Sequence, residues 1–225
     1  MKNISIAIDG PSASGKSTIA KILATKLGYI YIDTGAMYRA FTLAVLRHGI
    51  NPQDEAACCT LIGKIKIWFN AENHVTLDGE DVGEKIRENN VADNVSYIST
   101  YKDIRAHLVE LQRELANNNN VIMDGRDIGT HVLPDATVKI FQIADVNMRA
   151  KRRYMENLEK GIPSTEEECL DNLKKRDYID SHRKVNPLKP ACDAITVDTT
   201  NLTISDVVDK VLDIIKEKEI EKGIK

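Results

Sequence analysis

Residues 10–17 read Gly10-Pro11-Ser12-Ala13-Ser14-Gly15-Lys16-Ser17, a fit to G-x-x-x-x-G-K-S. The flanks make the match specific. Ile4-Ser5-Ile6-Ala7-Ile8-Asp9 is a short apolar run that suits a buried strand. Residues 16–27 place Ile19, Ile22, Leu23 and Leu27 at helical spacing, and Gly28 follows as a stop. A glycine-bearing loop between a strand and a helix start is a phosphate cradle. Its glycines let consecutive N–H groups turn inward toward phosphate oxygens, and the helix N-terminus adds positive potential. In such loops the lysine, here Lys16, reaches the β- and γ-phosphates, and the hydroxyl of Ser17 ligates Mg²⁺. Few folds tolerate this unit, so the chain is expected to be an α/β protein built on a parallel sheet.

The rest of the chain supports that expectation. Tyr29 to Asp33, Val121 to Asp124, Val138 to Ile143 and Ala194 to Asp198 are further short runs rich in β-formers. They are continuous rather than alternating, as in strands covered on both faces. Helical patterns lie between them at 36–48 and 103–116, and a last one runs from Ile204 to about Lys218. The middle departs from this rhythm. Lys64 to Phe69 alternates at period 2, His74 to Leu77 follows a polar turn, and Asp78-Gly79 precedes Asp81-Val82. The pattern predicts a small antiparallel meander inserted over roughly 62–100. Asn117 to Asn120 reads as a polar loop.

Composition narrows the function. Thirty-one cationic against 34 anionic side chains leave a net charge of −3, which opposes a broad nucleic-acid face. Aromatics make up 5% of residues, too few for the stacking platform of an RNA-binding sheet, and Trp68 is expected in the core of the insert. No run approaches the ~20 apolar residues of a membrane span, and the N-terminus lacks a signal-peptide pattern. The four cysteines show no C-x-x-C spacing and read as buried reduced thiols. The five histidines show no metal-ligand spacing.

The eleven arginines all fall between Arg39 and Arg183. Arg39 follows Asp33-Thr34-Gly35-Ala36-Met37-Tyr38 past the second strand, and Arg126 lies within Asp124-Gly125-Arg126-Asp127 past the third. Ligands of open parallel sheets bind outside the carboxyl ends of the strands. Both segments are therefore expected beside the phosphate loop, where arginines give bidentate contacts to phosphate. Asp124 at its strand end is placed to hold Mg²⁺ through water. Arg149, Arg152 and Arg153 open one helix. Arg176, Asp180 and Arg183, spaced four and three, are expected on one face of the next. Glu159 to Ser164 joins the two helices, and a helical hairpin carrying arginines reads as a closing lid.

Taken together, these residues resemble the bacterial cytidylate kinases, of the P-loop nucleoside monophosphate kinase superfamily, over essentially the full chain. The segments that carry the resemblance are IDGPSASGKST at 8–18, DTGAMYR at 33–39, Ile86-Arg87 with Val91-Ala92 and Ser96, DGRDIGT at 124–130, PDA at 134–136 and KRDYIDSHR at 175–183. The resemblance implies a P-loop NTPase fold: a five-stranded parallel sheet with flanking helices, an inserted small antiparallel sheet and a helical lid. The implied division is a core of 1–61, 101–146 and 184–225, an NMP-binding insert of 62–100, and a lid with its following helix at 147–183.

The implied reaction is transfer of the ATP γ-phosphoryl group to CMP or dCMP, with Mg²⁺. Gly10, Pro11, Ser12, Ala13, Ser14, Gly15, Lys16, Ser17 and Thr18 would hold ATP, with Ser17 and Asp124 on the metal. Asp33, Thr34, Arg39 and Arg126 would face the acceptor, with Arg183 joining the arginines on its phosphate. Ser96, Arg105 and Asp127 would read cytosine, while Arg176 and Asp180 would meet the ribose. Lys16, Arg39, Arg126, Arg152 and Arg153 would carry the catalytic charge. Thr34 stands where the family often has serine. Another small-molecule P-loop kinase, acting on UMP, AMP or shikimate, and a nucleotide switch without acceptor chemistry are the competing readings. The chain is expected to act as a cytoplasmic monomer with neither nucleic acid nor membrane as partner.

Overall fold

The computed structural model describes residues 3–70 and 73–223. Two compact units emerge: one comprises Met1–Tyr31 and Asn119–Lys225, the other Ile32–Asn118. The second unit contains residues 62–100 together with the flanking helical segments.

The first unit opens with β1 (Ser5–Asp9), the phosphate loop, and α1 (Lys16–Leu27). Gly28, at φ 68°, ends α1 in the left-handed conformation. Then β2 (Ile30–Asp33) carries the chain into the second unit, where α2 (Thr34–Arg47), α3 (Glu55–Cys59), β3 (Ile67–Phe69), β4 (Val75–Leu77), β5 (Glu80–Asp81), α4 (Asn89–Ile98) and α5 (Lys102–Asn118) follow. The chain returns through β6 (Val121–Gly125), a π-helical turn at Ile128–Val132, β7 (Val138–Ile143), α6 (Val146–Glu159), α7 (Glu166–His182), β8 (Ile195–Asp198) and α8 (Ile204–Glu221).

The main sheet has the order β2-β6-β1-β7-β8, with β1 parallel to both β6 and β7 and β7 parallel to β8. One face is covered by α1 and α8. Ile6 and Ile8 of β1, Ile122 of β6 and Ile140 of β7 pack there with Ile19 and Leu23 of α1 and Val208 and Val211 of α8. Burial of side chains of this size contributes ~1.5–3 kcal/mol each. The apolar runs of β1 and β6 have their cause here, since these strands have no wet face, whereas β8 at the sheet edge exposes Thr196 and Asp198. Asn120, the last of the asparagine run, ties the start of β6 to the start of β1, because its Oδ1 accepts a hydrogen bond from the Ile4 amide at 2.8 Å. Asn117 and Asn118 extend α5 rather than forming loop.

In the second unit, β3-β4-β5 is the expected antiparallel meander. Residues 89–98 are helix, not sheet. Trp68 is only half-buried, and Val75 and Leu77 supply the buried face. The cysteines also depart from expectation: Cys58 and Cys169 are buried, Cys59 is half-buried and Cys192 is exposed, and all four are free thiols.

Candidate active site

The phosphate loop begins at the carboxyl end of β1, the central strand. Gly10 stands at φ 149° because nothing else fits: a Cβ there would lie 2.0 Å from the Gln142 carbonyl oxygen. Ala13 and Gly15 also take positive φ, 58° and 94°. Lys16 is buried and its Nζ donates to the Pro11 carbonyl at 2.7 Å and to Ser14 Oγ at 3.3 Å. Burial, with Arg126 nearby, pulls the lysine pKa down to about 7, against the opposing pull of Asp124 and Asp9. Ser12 and Ser14 are buried, and Pro11 is partly exposed. Ser17 and Thr18 lie exposed on the first turn of α1.

The outside of this loop is braced by four side chains, of which sequence reasoning singled out only the two arginines. The Ser14 carbonyl accepts from Gln142 Nε2 at 2.5 Å and from Thr199 Oγ1 at 3.2 Å. The Ser12 carbonyl accepts from Arg149 at 3.1 Å. Arg152 donates to the Thr199 carbonyl at 2.6 Å and to the Ser14 carbonyl at 3.5 Å. Turning carbonyls outward onto donors leaves the loop amides free to face a phosphate. Gln142 had a signal in the sequence, being the one amide in a strand whose only other polar residue is Lys139. Thr199 had none.

Asp124, at the end of β6, is buried. Its Oδ2 accepts from Ser17 Oγ at 2.7 Å and its Oδ1 from the Tyr31 hydroxyl at 2.9 Å. The serine and carboxylate expected to share a cation are thus in direct contact. An oxygen pair of this kind suits Mg²⁺, which binds through one or two protein oxygens and keeps several waters.

Past β6, Arg126 and Asp127 each have a carboxylate–guanidinium partner. Arg126 Nε donates to Asp180 Oδ2 at 2.7 Å, and Arg183 lies 3.2 Å from Asp127 Oδ1. Burial opposes the Arg126 charge, but Asp180 outweighs it and raises the guanidinium pKa. For Asp180, burial pushes upward, and Arg126 with Arg176 holds the carboxyl below its usual range. Arg176 and Asp180 lie on α7 as expected. Arg183 does not: it sits just past the helix at φ −61°, ψ 142°, and its Nε donates to the Asn186 carbonyl at 2.7 Å. The four-and-three spacing therefore fails at its last member, because α7 ends at His182.

The hairpin arginines divide by burial. Arg149 is buried, giving Nε to the Ala144 carbonyl and pairing with Asp177 of α7 at 2.7 Å. Arg152 is committed to Thr199 and Ser14. Arg153 lies 3.7 Å from Glu156 on its own helix. In this structure Arg149 and Arg152 lie on α6 of the hairpin and donate to protein carbonyls, Arg149 to Ser12 and Arg152 to Ser14 and Thr199.

In the second unit, Asp33 caps α2 by accepting from the Ala36 amide at 2.8 Å, and its other oxygen pairs with Arg39 at 3.0 Å. Thr34, the first residue of α2, is buried. Ser96 is half-buried on α4. Arg105 is buried on α5, donates to the Ser99 carbonyl at 3.1 Å and lies over the Tyr38 ring at 5.6 Å. Among the described residues no cluster of three or more His, Cys, Asp or Glu could hold a metal, and no helix is long and apolar enough to cross a membrane.

A parallel sheet, a phosphate loop at its central strand and a carboxylate at the adjacent strand end define a P-loop nucleotide-binding protein. Comparison with known proteins narrows the class. Residues 6–217 match the family described as cytidylate kinase. The cytidylate kinase of Leuconostoc mesenteroides is 52% identical over 219 residues, covering 96% of this chain and 98% of its own. That of Bacillus pumilus is 52% identical over 215 residues, covering 94% and 96%. Among solved structures, a gluconokinase from Sinorhizobium meliloti shares the fold at TM-score 0.52 and 13% identity, covering 98% of this chain and 96% of its own. An uncharacterized protein from Eubacterium ventriosum does so at 0.54 and 17%, covering 96% and 99%. The chain belongs to the cytidylate kinase family, enzymes of the nucleoside monophosphate kinase class.

Proposed function

We propose that the chain transfers the γ-phosphoryl group of ATP to the 5′-phosphate of CMP, and of dCMP, giving the diphosphate and ADP. The observation that carries this reading is the half-buried Arg126 and buried Asp127 beside Lys16, on a chain half identical to cytidylate kinases.

The loop amides of residues 10–18 would bind the ATP phosphates. Lys16 would leave the Pro11 carbonyl for the β- and γ-phosphates, and regain its full charge between those anions. Ser17 and Asp124 would hold Mg²⁺, which supplies charge neutralisation and orients the phosphates when bound. No general base is required. A phosphate monoester has its second pKa near ~6, so the acceptor is largely a dianion at neutral pH. The barrier is the approach of two anions, and Arg39, Arg126 and Arg183 would offset it on the acceptor side. These arginines would exchange carboxylate partners for phosphate, keeping each guanidinium in charge-assisted hydrogen bonds throughout. Arg153, and Arg152 if closure draws it off Thr199, would bring charge to the transferring group.

Cytosine offers an amino donor at C4 and acceptors at N3 and O2. Asp127 would accept from the amino group, and Ser96 and Arg105 would donate to the acceptors. Uracil would turn a carbonyl toward Asp127. An unpaired buried polar group costs ~1–3 kcal/mol, so CMP is favoured over UMP by roughly ten- to a hundredfold. Arg176 and Asp180 would contact the ribose, with Asp33 and Thr34 shaping the acceptor side. Residues 62–100 would be the acceptor-binding insert and 147–183 the lid of a cytoplasmic monomer.

The test is ADP release with ATP and Mg²⁺ across CMP, dCMP, UMP and AMP. CMP and dCMP should lead clearly. Preference for UMP, AMP or a non-nucleotide acceptor contradicts the reading.

A further inference from the structure

Asp9 is the last residue of β1 and immediately precedes the phosphate loop, yet neither phosphate nor cation chemistry calls for it. It is 4% exposed. Its Oδ1 accepts from the Ile128 amide at 2.8 Å, and its Oδ2 from the Gly129 amide at 2.7 Å. Those two amides open the π-helical turn that follows Arg126 and Asp127. In the β1–β6 ladder Asp9 is also the register partner of Gly125. One residue therefore fixes both ends of the Gly125–Gly129 loop: its backbone stands beside the residue before Arg126, and its carboxylate grips the two residues after Asp127.

A buried carboxylate is a costly way to hold a loop. Burial pushes the Asp9 pKa up to about 6, against the pull of the two amides. A serine would bring one uncharged oxygen on a shorter side chain to two amides. An asparagine would accept one and turn its own N–H₂ toward the other. A carboxylate alone offers two acceptors to two amides from consecutive residues. The turn is close-fitting as well: a Cβ on Gly129 would lie 3.1 Å from Lys139 Cδ and 3.4 Å from Asp9 Oδ2.

We propose that Asp9 is a positioning residue for the acceptor, fixing where Arg126 and Asp127 present their side chains relative to the phosphate loop. The proposal rests on the reading that Arg126 and Asp127 bind the nucleotide acceptor. Asp9 touches neither nucleotide and acts only through the loop it pins.

The decisive experiment compares Asp9→Asn with the wild-type enzyme. KM for CMP should rise about tenfold or more, and the CMP-to-UMP ratio of kcat/KM should fall several-fold. The dissociation constant for a fluorescent ATP analogue should stay within about twofold. Gly129→Ala, whose methyl would crowd the Lys139 stem at 3.1 Å and touch the same carboxylate at 3.4 Å, should move the same quantities less. If both nucleotides weaken together, or CMP parameters do not move, Asp9 is a general structural residue and the proposal is wrong. Should Asp9→Asn fail to fold, Gly129→Ala alone decides between these outcomes. The wild-type acceptor panel separates this from the underlying reading. If the wild type does not prefer CMP, the function assignment fails. A preserved wild-type preference with unchanged variants sinks only Asp9. In the wild type, the Ile128 and Gly129 amide proton shifts should titrate together with the Asp9 carboxyl. Independent titration contradicts the shared grip.

Discussion

The phosphate loop and the α6–α7 hairpin belong to the same compact unit and are held by different means. Each turn of the loop is braced by buried groups: Gln142 and Thr199 on the Ser14 carbonyl, Arg149 on the Ser12 carbonyl, and Lys16 folded back on Pro11. The hairpin has a small buried cluster, Ala150, Cys169 and Leu173. Met155, Leu158 and Tyr178 are exposed along it. A donor site profits from rigidity, because amides already aimed at a phosphate cost no reorganisation during the reaction. The lid role proposed for the hairpin calls for a shallow basin. Arg149 and Arg152 sit at the joint, bound to the loop at one end and to the hairpin at the other.

The largest expected effect is on the loop itself. Lys16→Ala should lower kcat by roughly 10³-fold, the scale of losing one preorganised charge. Binding of CMP, measured by calorimetry, should change by no more than a few-fold. Gly10→Ala attacks the same region sterically, since its Cβ would collide with the Gln142 carbonyl. Such overpacking against backbone should cost about 3 kcal/mol in urea unfolding. Arg149→Met breaks the joint, leaving Asp177 and the Ser12 carbonyl without their donor. About 2 kcal/mol of stability should go, and kcat should fall more than the affinity for ATP. Smallest is Leu158→Ser on the exposed face of α6, expected within about 0.5 kcal/mol in the same unfolding assay and neutral in turnover. If Leu158→Ser proves as damaging as Gly10→Ala, the contrast between rigid loop and loosely held hairpin is wrong.

Two buried ionisable groups beside the loop, Asp9 and Lys16, give opposite pH slopes in the nucleotide-free protein. Asp9 binds its proton more tightly folded, about 6 against 3.8 unfolded, so stability falls as pH rises through that window. Lys16 releases its proton near 7 when folded but holds it to 10.5 when unfolded, so stability rises with pH between those values. Thermal melts of Lys16→Met should lose the upper slope relative to wild type and keep the lower one.

The fold was legible because the central strands β1 and β6 are buried on both faces and therefore written as apolar runs, whereas the edge strand β8 exposes Thr196 and Asp198. The α1 boundaries, Lys16 and Leu27, could be read directly from a phosphate motif at one end and a glycine stop at the other. The meander announced itself by alternation and Asp78-Gly79. What escaped was tertiary. A sequence cannot show that the guanidiniums of Arg149 and Arg152 reach carbonyls more than 100 residues away. Arg183 read as helical because periodicity continues past the point where α7 stops. Asp9 was hidden at the end of an apolar strand, beside a motif that drew attention to its neighbours.

The central claim is that Asp127 reads the cytosine amino group. The most direct measurement is the CMP-to-UMP ratio of kcat/KM in wild type and in Asp127→Ala, with ATP and Mg²⁺ saturating. The wild type should prefer CMP by at least tenfold, and the variant should lose most of its activity on CMP and most of that preference. An unchanged ratio in Asp127→Ala would contradict the account.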